Sequence, residues 1–252
     1  LASSIVFANA SLRAGAEVIA GNHRGQSALW GYAISGDLPI VLLRIADPAN
    51  IDLVRQLVQA HAHWRLKGLA VDLVIWNEAH AGYRQLLQEQ IAGLIEAKRP
   101  LYMARARQNL PTFAGAAELI KRRAAAGPAL IVSGALRDEI ELGLEVLGVR
   151  SSILHIVAAD DTQACKPDPE GYLLGIQWLA ERGQEAAARR GLVIEDSLAG
   201  VEAAKAAGLP CVGVTHTYSQ DELSKAGCDA VVDSLVGIDD ALLTALFRRL
   251  YG

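Results

Sequence analysis

Two adjacent carboxylates, Glu195 and Asp196, follow an apolar run at residues 192–194 and precede a stretch rich in small residues. Such a run is typical of a strand buried in a parallel sheet, and Ser197 could cap a helix that begins near Ala199. Ligands of open α/β sheets bind at the carboxyl ends of the strands, where paired oxygen donors suit a magnesium ion. Two solvated acids in a turn are the alternative interpretation.

Two other predicted strand ends carry polar groups. Ser133 and Gly134 follow an apolar run, and a hydroxyl with free backbone N–H groups before a helix can cradle a phosphate; an ordinary helix cap is the alternative. Lys166 stands between Cys165 and two prolines, where a fixed ammonium could neutralise a phosphoryl oxygen; a free surface lysine is the alternative. Together with the paired carboxylates, these groups predict a phosphate clamp and a metal site.

The elements that would position these groups are indicated by alternating strand and helix patterns in the sequence. These patterns predict a parallel, doubly wound α/β sheet flanked by helices. The predicted strands in this part of the chain are 129–132, 153–158, 192–194, 211–214 and 230–232, and the predicted helices are 116–126, 137–147, 170–182, 220–226 and 239–251. A βαβ unit is predicted nearer the start, with strands at 38–45 and 69–76 and a helix that ends at about Lys67 with Gly68 as its stop.

Composition limits the class of protein. The chain has 252 residues, 52% hydrophobic and 21% charged, which is enough for one large domain or two small ones. A formal net charge of −4 offers no basic surface for nucleic acid, and no apolar run is long enough to span a membrane, so a small-molecule partner is expected.

Three further expectations concern context. The three cysteines have no metal-ligand spacing, which favours reduced thiols in a cytoplasmic protein. The chain begins at Leu1 rather than at an initiator methionine, as expected of a fragment of a longer protein. No pattern indicates the oligomeric state, and the roles of His155 and His216 stay open between packing and chemistry.

Residues 1 to about 90 resemble an interior segment of the cyclic β-1,2-glucan synthases, whose phosphorylase-like region belongs with glycoside phosphorylases. The resemblance is carried by GQSALWGYAISGDLPIVLLRI at 25–45 and LVRQLVQAHAHWRLKGLAVDLVIWNE at 53–78. It implies shared ancestry for this segment, and no catalytic residue of that family is carried over.

Residues 94 to 252 resemble the haloacid dehalogenase superfamily, in its phosphatase and β-phosphoglucomutase-like branch. Its second motif matches Ser133 in ALIVSGALRDEI, its third matches Lys166 in CKPDPEGYLLGI, and its fourth matches Glu195 and Asp196 in LVIEDSLAGVEAAKAAG. The resemblance implies a Rossmann-like sheet. It also implies that the serine holds the transferring phosphoryl group, the lysine offsets its charge and the two acids help to hold Mg²⁺.

The superfamily's first motif is not matched. That motif is a strand ending in Asp-x-Asp, which supplies the phosphoryl acceptor, and residues 1–128 contain no such pair. The substrate-selecting cap is also mostly absent. Because the missing strand lies in the middle of the family's sheet, its loss would leave unpaired backbone groups. The strand at 69–76 is the best replacement by pattern, and it would place Asn77 near the position of the nucleophile.

The sequence therefore predicts a chimera or truncation: a glucan-synthase-like segment at 1–90 joined to an incomplete dehalogenase-like core at 91–252. The predicted function is magnesium-dependent phosphatase or phosphotransferase chemistry on a small phosphorylated metabolite, such as a sugar phosphate, impaired by loss of the nucleophile. The alternatives are a non-catalytic remnant that binds phosphate or magnesium, and a fragment of a glucan synthase or glycoside phosphorylase.

Overall fold

The chain divides into two compact units in a computed structural model that describes residues 14–30, 32, 34, 36–66 and 69–251. Unit 1 comprises Leu1–Leu29 and Ser35–Ala106, and unit 2 comprises Trp30–Ile34 and Arg107–Gly252. The predicted junction near residue 91 concerns ancestry and stays a prediction; it falls inside a continuous helix. No helix in the described ranges is long and apolar enough to cross a membrane.

Unit 1 contains the predicted βαβ arrangement. Strands β1 and β2 pair in parallel, from Ile40 opposite Asp72 to Ile45 opposite Asn77. The predicted stop of the intervening helix, Gly68, lies outside the described residues. The elements of this part of the chain are α1 (Ala16–Ala20), α2 (Ser27–Trp30), β1 (Ile40–Ile45), α3 (Ile51–Leu66), β2 (Asp72–Asn77) and α4 (Ala81–Asn109).

The core of unit 1 lies between its sheet and the helices α3 and α4. Val54 of α3 and Leu87 of α4 are fully buried, and they belong to one apolar cluster with Ile45 at the end of β1. A second cluster joins Leu57 and Trp64 of α3 to Val71, just before β2. Burial of one face of each helix therefore holds this unit together.

Among the described strands, β2 pairs with β1 alone. The prediction that it replaces the missing nucleophile strand stays a prediction. Asn77 at its end has a local role. Its side-chain oxygen accepts the N–H of Ala79 at 3.0 Å, and its amide donates to the carbonyl of Arg84 at 3.0 Å. These bonds hold the loop that leads into α4.

Unit 2 shows the predicted alternation of helices and strands. The short helix α8 is an addition to the predicted elements, and the other boundaries differ by at most a few residues. The elements are α5 (Ala116–Ala126), β3 (Leu130–Val132), α6 (Arg137–Val146), β4 (His155–Val157), α7 (Glu170–Ala180), α8 (Glu185–Arg189), β5 (Val193–Glu195), α9 (Leu198–Ala206), β6 (Cys211–Val214), α10 (Gln220–Lys225), β7 (Ala230–Val232) and α11 (Asp240–Tyr251).

All strand pairs of unit 2 described here are parallel, which confirms the α/β class. Strand β3 pairs with β4, and β5, β6 and β7 form a three-stranded sheet in that order. Strand β6 is buried along its whole length, as expected of a central parallel strand. The two sheets are not joined by hydrogen bonds between described strands, so β3 and β5 each keep an open edge.

The hydrogen bonds show which peptide groups face the open edges, because alternate residues of a parallel strand bond to the same neighbouring strand. In β3, the C=O of Ala129 and the N–H of Ser133 bond toward β4, so the peptide groups of Leu130 and Val132 face the other way. In β5, the N–H of Val193 bonds toward β6, so that of Ile194 faces the open edge. Ile194 is 37% exposed, although it is an apolar residue of a short strand.

Helix α7 packs on both sheets. A Cβ on Gly175 would lie 3.6 Å from Leu130 Cδ2, so the helix approaches β3 closely. One turn earlier, Tyr172 is buried in a cluster with Val193 of β5 and Val201 of α9. The helix therefore fixes the ends of β3 and β5 relative to each other within unit 2.

Candidate active site

Lys166 links the carboxyl ends of β3 and β5. Its Nζ donates to the carbonyl oxygen of Val132 at 3.3 Å and forms an ion pair with Oε1 of Glu195. Val132 is the last residue of β3 and Ser133 follows it, whereas Glu195 is the last residue of β5. The lysine is therefore held in place, and the free surface lysine that was the alternative is excluded.

Tyr172 supports the same ion pair from α7. Its hydroxyl donates to Glu195 Oε1 at 3.2 Å, and the ammonium of Lys166 lies 5.0 Å from the centre of its ring. Burial, and then the charge of Glu195, raise the pKa of the Tyr172 hydroxyl, so it stays protonated and remains a donor. Tyr172 is absent from the predicted site because a tyrosine on the apolar face of a helix is typical of a residue packed in the hydrophobic core.

Glu195 uses both carboxylate oxygens in hydrogen bonds. Its Oε2 accepts from the N–H of Asp196 at 2.9 Å, the N–H of Ser197 at 3.1 Å and the hydroxyl of Ser197 at 3.0 Å. Burial alone would raise its pKa, but the charge and hydrogen bond of Lys166 and the two backbone donors outweigh burial and hold the pKa below its usual range. The side chain is thus an ionised anchor between the two strand ends.

A glycine makes room for this anchor. A Cβ on Gly200 would lie 2.0 Å from Oε1 and 2.0 Å from Cδ of Glu195, far inside van der Waals contact. Ser197, the predicted cap of α9, accepts the N–H of Gly200 at 3.1 Å, which confirms the cap. The first turn of α9 therefore lies against the carboxylate with only hydrogens between them.

The carboxylate of Asp196 accepts fewer hydrogen bonds than that of Glu195. Its Oδ2 accepts the hydroxyl of Thr217 at 2.7 Å, and its Oδ1 accepts no hydrogen bond from the described residues. Thr217 follows β6 and is also absent from the predicted site. Its position after the strand that pairs with β5 could have indicated a role beside Asp196. One oxygen of Asp196 can therefore take a ligand while the other is oriented.

Ser133 and Gly134 lie in a turn, not at the first residue of a helix. Helix α6 begins at Arg137 and its N-cap is Leu136, so the ordinary-cap interpretation of Ser133 is wrong. The Ser133 oxygen accepts the N–H of Ala135 at 3.1 Å. Within the described ranges, the Ser133 hydroxyl proton and the Gly134 N–H have no protein acceptor, and both can bind an anion.

The site offers few oxygen ligands for a magnesium ion. In the part of the chain that the structure describes, no three acidic, histidine or cysteine side chains cluster to hold a metal ion. Mg²⁺ nevertheless needs few protein ligands, because it keeps several waters and shares phosphate oxygens with the substrate. Asp196 Oδ1 fits such a site. Both oxygens of Glu195 already accept hydrogen bonds from the protein. The direct contact of Glu195 with Mg²⁺ stays a prediction.

The two histidines left open by the sequence both stack on aromatic rings. His155 lies parallel to Trp178 with ring centres 4.5 Å apart, and burial followed by the charge of Arg137 lowers its pKa. His216 lies parallel to Phe113 with ring centres 3.9 Å apart. Only His216 is close in sequence to a site residue, since Thr217 follows it.

Two known proteins each resemble a part of this chain. Cyclic β-(1,2)-glucan synthase NdvB of Rhizobium meliloti is 39% identical over 95 residues, which are 38% of this chain and 3% of the synthase. Validoxylamine A 7′-phosphate phosphatase of Streptomyces hygroscopicus subsp. limoneus is 37% identical over 99 residues, which are 39% of this chain and 44% of the phosphatase. The chain thus spans less than half the length of either relative.

The fold and the family agree. The crystal structure of β-phosphoglucomutase from Clostridium difficile matches with a TM-score of 0.55 at 16% identity, over 84% of this chain and 97% of that protein. The model of the haloacid dehalogenase-like hydrolases matches residues 54–214, well over half of the chain. With the parallel sheets and the linked strand ends, this match shows that the chain belongs to the haloacid dehalogenase-like hydrolase family.

Proposed function

We propose that this chain is a magnesium-dependent phosphatase-type enzyme that acts slowly on a small phosphorylated metabolite. The observation that carries the proposal is the position of Lys166, whose ammonium joins the end of β3 to the end of β5. An anion bound at these strand ends would meet a fixed positive charge, and the fixed charge needs no reorganisation during the reaction.

Each remaining residue has a defined part. The Ser133 hydroxyl and the Gly134 N–H would donate to phosphoryl oxygens, and Lys166 would offset their charge. Asp196 would hold Mg²⁺ through Oδ1, while Thr217 orients the carboxylate. When bound, the ion would supply further positive charge beside the phosphoryl group. Glu195 would act as a positioning residue for Lys166.

Slow turnover follows from the missing acceptor. No Asp-x-Asp pair occurs in residues 1–128, and Asn77 is used in the loop before α4. Without an Asp-x-Asp nucleophile in residues 1–128, water would have to attack the phosphoryl group directly, and the two-step covalent route would be lost.

The test is hydrolysis of 4-nitrophenyl phosphate by the full chain with and without Mg²⁺. We expect measurable turnover that requires the ion and that falls at least about 100-fold in Asp196→Asn and Lys166→Met, because the first variant weakens the hold on Mg²⁺ and the second removes the positive charge beside the phosphoryl group. Asp233→Asn is the matched control: it changes an exposed carboxylate after β7, a strand of the same sheet that does not pair with β5, and it should keep wild-type turnover. Equal turnover in Asp196→Asn and wild type would reject the proposal.

A second candidate is a non-catalytic protein that binds phosphate at the same strand ends. It is favoured by the absence of an Asp-x-Asp pair in residues 1–128. Calorimetric titration with inorganic phosphate and Mg²⁺ separates the two candidates. Binding that Lys166→Met abolishes, together with no turnover in any assay, would identify the binding protein.

A further inference from the structure

An exposed aromatic ring stands beside the candidate active site. Phe113 precedes α5 and is 59% exposed, which is high for a large apolar side chain. One face of its ring lies on the imidazole of His216, with ring centres 3.9 Å apart and planes 7° apart. The stack fixes the orientation of the ring, and more than half of the Phe113 surface stays exposed.

The stack is tied to the residue that would hold the metal. His216 and Thr217 follow β6, and the Thr217 hydroxyl donates to Asp196 Oδ2 at 2.7 Å. Strands β5 and β6 are paired neighbours, with Glu195 opposite Gly213. The aromatic pair therefore lies at the same end of the sheet as Asp196, next to the strand end that carries the carboxylate.

Another exposed apolar group packs on the backbone that follows Phe113. Val236 lies beyond the end of β7 and is 66% exposed. The Cβ that Gly115 lacks would lie 2.8 Å from Val236 Cγ2, so Val236 packs directly on the backbone two residues after Phe113. Gly115 has a φ of 81°, a conformation that other residues rarely adopt and that lets the backbone lie under Val236.

We infer that Phe113, His216 and Val236 form the subsite for the organic part of the phosphate ester, and that this part is a planar apolar ring. The inference rests on the proposed function and names its substrate class. A flat ring placed on the exposed part of Phe113 would continue the existing stack, whereas a small polyol would leave the apolar surface wet. An aryl phosphate therefore fits the site better than an aliphatic one.

The experiment uses phosphonates, which cannot be hydrolysed at the carbon–phosphorus bond. Titration calorimetry of the full chain with Mg²⁺ should show that phenylphosphonate binds about tenfold tighter than methylphosphonate, the ratio expected for one stacked ring. Phe113→Ala should bring the two affinities within about twofold of each other and leave the methylphosphonate affinity unchanged. Phe113→Tyr keeps a planar ring and should keep the preference.

Leu154→Ala is the matched control, because Leu154 is an exposed apolar residue that precedes β4, at the other end of a strand. It should behave as wild type. Equal affinities for the two phosphonates in the wild-type chain would overturn the subsite while leaving the phosphate site intact. Failure of both phosphonates to bind would overturn the proposed function and the subsite with it. A preference that persists in a folded Phe113→Ala chain would place the ring elsewhere and overturn the inference.

Discussion

Glu195 is the residue on which the candidate site depends. It accepts hydrogen bonds from Lys166, Tyr172 and Ser197 and from the backbone of the loop that follows it. Removing any one donor would leave a nearly buried carboxylate less well compensated. Its sequence position beside Asp196 suggests two equivalent ligands, but the structure gives the two acids different surroundings, one closed by protein donors and one partly open.

Gly200→Ala tests how tightly this anchor is held. The new methyl group would overlap the Glu195 carboxylate, so the side chain must leave its donors. We expect the free energy of unfolding to fall by about 1–3 kcal/mol, as for other overpacked sites, and phosphate affinity to fall with it. Urea denaturation followed by circular dichroism measures the first quantity.

A second glycine provides the control for this change. Gly143 lies inside α6, and a Cβ there would only reach ordinary contact, 4.0 Å from Leu110 Cδ2. Gly143→Ala should therefore stabilise the protein by about 0.5–1 kcal/mol through the higher helix propensity of alanine. If both substitutions shift stability in the same direction, the contact between Gly200 and Glu195 is not what limits the first variant.

The lowered pKa of Glu195 predicts part of the acid sensitivity of the fold. A carboxylate whose pKa is lower in the folded state stabilises the protein above its ordinary pKa, 4.5, and that stabilisation is lost as pH falls through the folded value. Glu195→Gln should be less stable than wild type at neutral pH, but its stability should change less between about pH 5 and pH 3. Asp161→Asn, which removes another carboxylate of lowered pKa, should leave the Glu195 contribution in place. Parallel stability curves for wild type and Glu195→Gln would contradict the assignment.

At the scale of the elements, periodicity predicts what each segment is but not which neighbour it pairs with. The apolar runs predicted as strands at 129–132, 192–194 and 211–214 fold as strands whose ends differ from the prediction by at most one residue. The run that forms β2 pairs with β1, as the βαβ pattern predicts, but its apolar character does not show whether a further strand pairs with it. Pairing depends on contacts between distant residues, which a single sequence window does not contain. Tyr172 illustrates the same limit, because its helical spacing indicates core packing and gives no sign of its bond to Glu195.

The open edges of β3 and β5 should be visible in hydrogen exchange. The amides of Leu130, Val132 and Ile194 face away from the paired strands, so we expect them to exchange at least about tenfold faster than those of Ile131 and Val193. Exchange measured by NMR on the full chain resolves neighbouring amides. Equal protection of Ile194 and Val193 would show that another segment pairs with β5.

At the scale of the whole molecule, each unit has its own apolar core. Every apolar cluster found in the described residues draws its members from one unit: two lie in unit 1 and three in unit 2. The glucan synthase and the phosphatase each match under two fifths of this chain. The junction proposed near residue 91 lies within α4, which runs from Ala81 to Asn109.

Separate cores predict separate unfolding. Val54 in unit 1 and Val201 in unit 2 are both fully buried, and truncating either to alanine should cost about 2 kcal/mol through lost burial and the cavity it leaves. Because each valine supports one core, calorimetry should show two transitions. Val54→Ala should lower one of them, and Val201→Ala the other, by roughly 6–10 °C each. A single transition that both substitutions lower equally would mean that the two cores unfold as one cooperative structure, and that α4, which crosses the boundary between them, couples their stabilities.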